Sequence, residues 1–186
     1  RETLSHADAF MSVLQNEHTF VHISQEIGDW QTREWEPMFL NDWLNAYSLE
    51  EIEVYADRFA IVDIDGDGIT EIILEIAPTS QKLILRSNYY GWISANSFYN
   101  RAMLHLKVDG TFLSSGGASS GAVGRLCYSG AEAEPEILFA WGILEGETYY
   151  EFNLQGEEAE IALQEFFEKE DVEWFPFADI SADMIF

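Results

Sequence analysis

A chain of 186 residues, 47% hydrophobic and 15% aromatic, carries enough apolar matter for a packed core and is not a disordered acidic tail. Its 34 acids against 9 bases give a formal charge of −25, a surface that repels phosphate backbones and anionic headgroups, so no nucleic acid is expected as a partner. No run approaches the ~18 consecutive apolar residues that span a bilayer, and a single cysteine, Cys127, excludes an intrachain disulfide. Cations, cationic peptides and neutral glycans remain as partner classes.

Taken in chain order, Leu4, Ala7, Met11 and Leu14 recur at helical spacing and predict an N-terminal helix. A second helix is expected over 38–47, where Leu40, Trp43, Leu44 and Tyr47 form one apolar stripe. The stretch 25–37 between them, with Gly28, Trp30, Trp35 and Pro37, reads as irregular. Ser48 and Glu51 have the spacing of a capping box.

From residue 58 the pattern turns β-like. Runs 59–63 and 70–76 flank an acidic loop, and 82–86 follows a Pro-Thr-Ser turn. Further strands are expected over 89–93, 101–108 and 111–115, the last two around Asp109-Gly110, a hairpin signal. Runs 122–128, 136–144 and 148–153 complete the set, with Glu145-Gly146-Glu147 joining the last two. Cys127, between Leu126 and Tyr128 on a strand, reads as a buried inert thiol. A C-terminal helix is predicted over 157–168, burying Ala159, Ala162, Leu163 and Phe166. The apolar tail 174–186 is expected to pack back on the body.

The order of elements predicts one α+β domain over residues 1–186. Residues 1–57 are expected to be mainly helical, residues 58–153 to form a β region, and residues 154–186 to supply a C-terminal helix and tail. The expected architecture is an antiparallel meandering sheet with N-terminal helices and a C-terminal helix packed on it.

The chemistry concentrates in Asp63-Ile64-Asp65-Gly66-Asp67-Gly68-Ile69-Thr70-Glu71. Calcium is a hard cation that takes about six to eight oxygens in a flexible shell. Asp63, Asp65 and Asp67 fall at positions 1, 3 and 5 of a calcium loop, Gly68 at the sharp turn, the carbonyl of Ile69 at position 7 and Glu71 at position 9. Four carboxylates in so short a loop repel one another unless a cation neutralises them. Magnesium fits less well, because it demands a tight octahedron and holds its waters. The EF-hand match ends there: position 12 is Leu74, and the flanks Ile61-Val62 and Ile72-Ile73 are β-branched rather than helical.

The loop resembles the strand–loop–strand calcium sites of integrin FG-GAP-type and related bacterial repeats, which carry D-x-D-x-D-G-x-x-D/E. The resemblance implies that Glu71 completes the shell begun by Asp63, Asp65, Asp67 and the Ile69 carbonyl, with Glu in place of the commoner Asp. The expected cofactor is one structural Ca2+. At a dissociation constant of ~0.1 mM and ~1 mM free calcium, binding adds only about 1.4 kcal/mol of stability.

Residues 59–73, together with 101–112 and 114–119, also resemble uncharacterised exported proteins and lipoproteins of Gram-positive bacteria. That resemblance implies an extracellular or surface-anchored location and calcium, with no known activity. The chain opens at Arg1, so a missing signal segment says nothing about location.

Other patterns are weaker. Gly117-Ala118-Ser119-Ser120-Gly121 fits G-x-S-x-G, a motif that needs a helix after the serine, but 122–128 reads as strand. Were Ser119 a nucleophile, His105 is its nearest candidate base. His18 and His22 are four apart in a β-branched context and form no H-E-x-x-H. Trp30, Trp35, Tyr90 and Trp92 are candidates for stacking on sugar rings, whereas Trp43 belongs to a core stripe. With so many acids, a glycosidase pair at ~5–9 Å has no unique candidate. No phosphate-cradling loop or dinucleotide fingerprint is present.

The expected function is a calcium-binding, non-catalytic surface or binding domain, with a glycan or cell-envelope protein as partner. No catalytic residue is assigned. Two rivals are a calcium-stabilised hydrolase acting on glycans or esters, and an accessory domain of a larger envelope protein.

Overall fold

The computed structural model describes residues 5–23, 35–48, 52–88, 92–144, 147–152 and 154–185. The protein is of the mixed α+β class, with three α-helices among the described residues and mostly antiparallel strands in two sheets. Helix α1 spans His6–Leu14, where Ser5 caps the N-terminus by accepting from the Asp8 N–H at 3.1 Å. It buries Ala7, Ala9, Phe10, Val13 and Leu14. Helix α2, Leu40–Tyr47, buries Leu40, Trp43 and Leu44. Helix α3, Gly156–Glu168, carries Glu157 and Glu158 in its first turn, which suits the helix dipole, and buries Ala159 and Phe166.

The larger sheet contains seven strands: β1 (Phe20–Ile23), β2 (Trp35–Met38), β3 (Tyr55–Val62), β4 (Glu71–Ala77), β5 (Gln81–Ser87), β6 (Ile93–Phe98) and β11 (Phe175–Pro176). Their order is β11-β3-β4-β5-β6-β1-β2. The run β3 to β6 is a meander of antiparallel neighbours. The smaller sheet is a second meander, β10-β9-β8-β7, built from β7 (Thr111–Gly117), β8 (Ser120–Ser129), β9 (Glu132–Leu144) and β10 (Glu147–Phe152).

The single meandering sheet expected from sequence is therefore two sheets, and the larger one is not wholly antiparallel, because β1 runs parallel to β6. Among the described residues of 1–57, β1 and β2 stand beside the two helices; they pair with each other and extend the larger sheet. The β-branched run through His22 makes a strand, and Pro37 is tolerated because β2 is the edge.

Period-two alternation sorts the large sheet into two faces. Ile72, Leu74, Ile76, Leu83 and Leu85 belong to a core shared with α1, α2 and the C-terminal tail residues Phe177, Ile180, Met184 and Ile185. The tail thus packs back as expected. Ala60, Val62, Ile73, Ile84 and Phe98 face a second core, closed by Met103, Leu106, Phe112, Leu126 and Val172. A smaller cluster of Val123, Phe139 and Phe166 joins α3 to the smaller sheet.

Segment 101–108 is not the strand expected. A 3-10 turn covers Asn100–Ala102, and only isolated bridges follow, Leu104 with Leu113 and Lys107 with Asp171. His105 adopts φ +46°, which breaks the alternation and lets both Met103 and Leu106 enter the second core. Asp109-Gly110 still turns the chain, with the Gly110 N–H donating to the Lys107 carbonyl at 2.9 Å. Cys127 is exposed, not buried, since it lies on the outward face of β8. Of the strand expected over 89–93, residues 89–91 lie outside the described residues, and β6 runs from Ile93 to Phe98. Leu4, Gly28, Trp30, Glu51, Tyr89, Tyr90 and the Glu145-Gly146 turn lie outside the described residues.

Candidate metal centre

The acidic loop leaves β3 at Val62 and enters β4 at Glu71, and those two residues are paired across the hairpin. Ile64 is buried in the second core and anchors the loop from below. Gly66 and Gly68 have φ of +76° and +86°, the left-handed turns that let the chain coil tightly. Asp63 is the hub of the coil. Its Oδ1 accepts from the N–H of Gly66 at 2.8 Å and of Asp67 at 3.0 Å, and its Oδ2 accepts from the N–H of Gly68 at 2.8 Å. Asp67 Oδ1 accepts from the Ile69 N–H at 2.8 Å.

Ligand-capable oxygens of Asp63, Asp65 and Glu71 all lie within 4.8 Å of one another. Glu71 is fully buried, at 0% exposure. Its Oε2 accepts from the Ile64 N–H at 2.9 Å, while its Oε1 has no hydrogen-bond donor. Burial pushes the Glu71 carboxyl up to about 8, and the neighbouring carboxylates of Asp65 and Asp67 add to the rise against the Ile64 bond and Arg86. Burial also raises Asp65, against the opposing pull of Arg86.

Arg86, on β5, enters the same space. Its Nη2 donates to Asp67 Oδ2 at 2.6 Å and to Asp65 Oδ2 at 3.0 Å, and its Nε stands 3.4 Å from Glu71 Oε1. Nη1 donates to the Gly130 carbonyl at 3.0 Å, and the guanidinium lies 4.2 Å from the Tyr128 ring centroid. The Tyr128 hydroxyl is buried without a donor or acceptor partner, and burial pushes its ionisation upward, with Glu71 adding to the shift.

Of the residues read from sequence, Asp63, Asp65 and Glu71 converge, whereas the outer oxygen of Asp67 turns to Arg86. Ile69 sits at the loop's exposed shoulder, held through its N–H. The donor set is all oxygen, which suits a hard cation and offers nothing to a thiophilic one. The uncompensated Glu71 oxygen is the feature such an ion would satisfy. A divalent ion here would be held by Asp63, Asp65 and Glu71 and would offset part of the loop's negative charge.

Sequence reasoning misses Arg86 and Tyr128. A signal for Arg86 exists: with β4 and β5 joined by a short turn, Ile72 pairs with Leu85, so Arg86 falls one step further, beside Glu71.

A cleft of about 420 Å³ lies at the far end of the same sheet face, lined among others by Arg58, Glu75, Lys82, His105, Asp171 and Trp174. Its carboxylates are engaged. Glu75 takes Arg58 on Oε1 at 2.8 Å and Lys82 on Oε2 at 2.6 Å, and Asp171 pairs with Lys107 at 2.8 Å. Ser119 sits between β7 and β8 with strand on both sides, so the nucleophile-elbow context is absent. His18 lies in the turn before β1, and His22, on β1, is buried against Trp43 and 3.2 Å from Ser97 Oγ, so no helical histidine pair exists. Of the aromatic candidates for sugar stacking, Trp92 is exposed, at 65%.

Comparison with protein-family models finds no match, and comparisons with curated proteins and with solved structures find none either.

Proposed function

We propose that this protein is an exported, calcium-binding, non-catalytic surface or binding domain in which one Ca2+ staples the β3–β4 hairpin. The observation that carries the reading is Glu71. A fully buried carboxyl with one oxygen lacking any hydrogen-bond partner, grouped with Asp63 and Asp65, is costly to ionise unless a cation completes it. The spacing of the acids and glycines in loop 63–71 agrees with that chemistry. Calcium is preferred over magnesium because calcium accepts an irregular shell of carboxylate oxygens, whereas magnesium demands a tight octahedron.

The FG-GAP-like loop and the resemblance to Gram-positive exported proteins and lipoproteins favour an extracellular or surface-anchored setting, where calcium is abundant. A glycan or cell-envelope protein is the partner class this setting suggests, and exposed Trp92 is the sugar-stacking candidate.

A calcium-stabilised hydrolase is favoured by one feature, the cleft beside Trp174, remote from the loop. Its paired carboxylates speak for a structural or binding role instead.

The experiment is a thermal melt in chelator and in calcium, with titration calorimetry of calcium into chelator-treated protein. A melting temperature that rises with calcium, and a single-site isotherm, support the reading. Identical melts and no binding heat would sink it.

A further inference from the structure

We propose that Arg86 is a tethered counter-cation that competes with calcium for the acidic loop. The inference rests on the calcium reading above.

One guanidinium engages three of the loop's four acids. It bonds to Asp67 at 2.6 Å and Asp65 at 3.0 Å, and stands 3.4 Å from Glu71. Its placement is not that of a stray surface arginine. The Gly130 carbonyl takes Nη1 at 3.0 Å, and the Tyr128 ring forms a floor 4.2 Å away. Two groups from the smaller sheet, at the β8–β9 turn, therefore aim an arginine from the larger sheet at the loop. Arg86 leaves its Nε without a hydrogen-bond acceptor, just as Glu71 leaves Oε1 without a donor. At 3.4 Å with imperfect alignment, the pair attracts but does not satisfy either group.

Two consequences of opposite sign follow. Without metal, the positive guanidinium offsets the mutual repulsion of the acids and keeps the loop folded. With metal, an ion bound to Glu71 Oε1 lies close to the Arg86 charge, and the two cations repel. Calcium affinity is therefore set below what the carboxylates alone would give, and the calcium-dependent gain in stability is damped. A merely structural arginine predicts something different, since its loss would loosen the loop and weaken calcium binding.

The test is Arg86→Gln, which keeps hydrogen-bonding capacity and removes the charge, measured beside wild type. Calcium affinity comes from calorimetry, and melting temperature is read in chelator and in calcium. Arg86→Gln should bind calcium tighter by on the order of tenfold, melt lower in chelator, and show a larger calcium-induced rise. Arg86→Lys keeps the charge without the fork over Asp65, Asp67 and Glu71, and should bind with intermediate affinity. Were Arg86→Gln unfolded in chelator yet folded in calcium, the proposal would stand. Were it unfolded in both, Arg86→Lys decides, and affinity no tighter than wild type overturns the proposal.

A folded Arg86→Gln that binds calcium no better than wild type also overturns it, while leaving the calcium reading intact. Absence of calcium binding by wild type and every variant overturns both. Binding only after Arg86 is replaced would support the competition but overturn the calcium reading of the native chain, whose loop would then be closed by arginine.

Discussion

Gly110 rests against the carbonyl of Ile64, with no room between them for a β-carbon. The turn that precedes β7 is thus seated directly on the acidic loop, and Gly110 holds φ +78° there. Replacing it with alanine forces both a left-handed alanine and a clash with rigid backbone. Gly110→Ala should cost about 2–4 kcal/mol and lower the melting temperature by roughly 4–16 °C. Gly66, with open space around its missing β-carbon, carries the conformational cost alone, so Gly66→Ala should cost only about 1–2 kcal/mol. Paired melts of the two variants measure the difference, and equal losses would contradict the contact.

Glu71→Gln separates metal binding from folding. Because burial already holds the carboxyl protonated up to about 8, an amide resembles its neutral form at pH 7. The glutamine carbonyl can still accept from the Ile64 N–H, the bond now made at 2.9 Å. The variant should fold in chelator with stability within about 1 kcal/mol of wild type, and its melt should no longer respond to calcium. A calcium response equal to wild type would remove Glu71 from the ligand set.

The same carboxyl predicts a pH dependence whose sign differs with and without metal. In the metal-free chain, Glu71 sits above its ordinary value of 4.5, so the folded state keeps a proton that the unfolded state releases. Its contribution to stability is complete below 4.5 and declines as the pH rises towards about 8. Calcium needs the ionised carboxylate, so affinity moves the other way. With one competing proton, the dissociation constant should weaken by about tenfold for each pH unit below 8, with proton release on binding. Calorimetry in buffers of different ionisation heat counts that proton, and a flat profile from pH 8 to 6 would contradict it.

Lys82 and Glu75 offer a check on the remote cleft. Their 2.6 Å bond lies mostly out of solvent, with side-chain exposures of 7% and 13%. Lys82→Met should destabilise by about 1–3 kcal/mol, because Glu75 keeps only Arg58. Adding Glu75→Gln should recover some of the loss, since it removes a mostly buried charge left with only one of its two partners. A strictly additive double-mutant cycle would mean that the two do not interact.

The loop and the meander around it are legible in the sequence because local signals agree there. The alternating aspartates, the two glycines and the β-branched flanks of 59–63 and 70–76 all point to one hairpin, and the chain forms it. What is not legible depends on partners distant in sequence. β1 becomes a strand by lying beside β6, some seventy residues on, and Val21 pairing with Ser94 leaves no local trace. Likewise, 101–108 looks like a strand by composition, but His105 in a left-handed conformation breaks it so that Met103 and Leu106 can both enter the second core. Asp67 reads as a ligand by position alone. Its diversion to Arg86 depends on the β4–β5 register, which brings an arginine beside Glu71.

That register has a consequence for how the sheet finds its pairing. On the face towards the second core, Ile73 meets Ile84 and Glu75 meets Lys82, while Arg86 engages the Glu71 end. A slip by one residue is forbidden, because it would turn Glu71 and Glu75 from their own face into the helix-covered core on the other. A slip by two keeps every apolar side chain on its proper face, and burial would tolerate it. In either direction, however, such a slip sets a buried glutamate opposite Ile84 and leaves a cation without its acid. The charges at the two ends of this strand pair therefore act as end stops, admitting one alignment where grease would admit several.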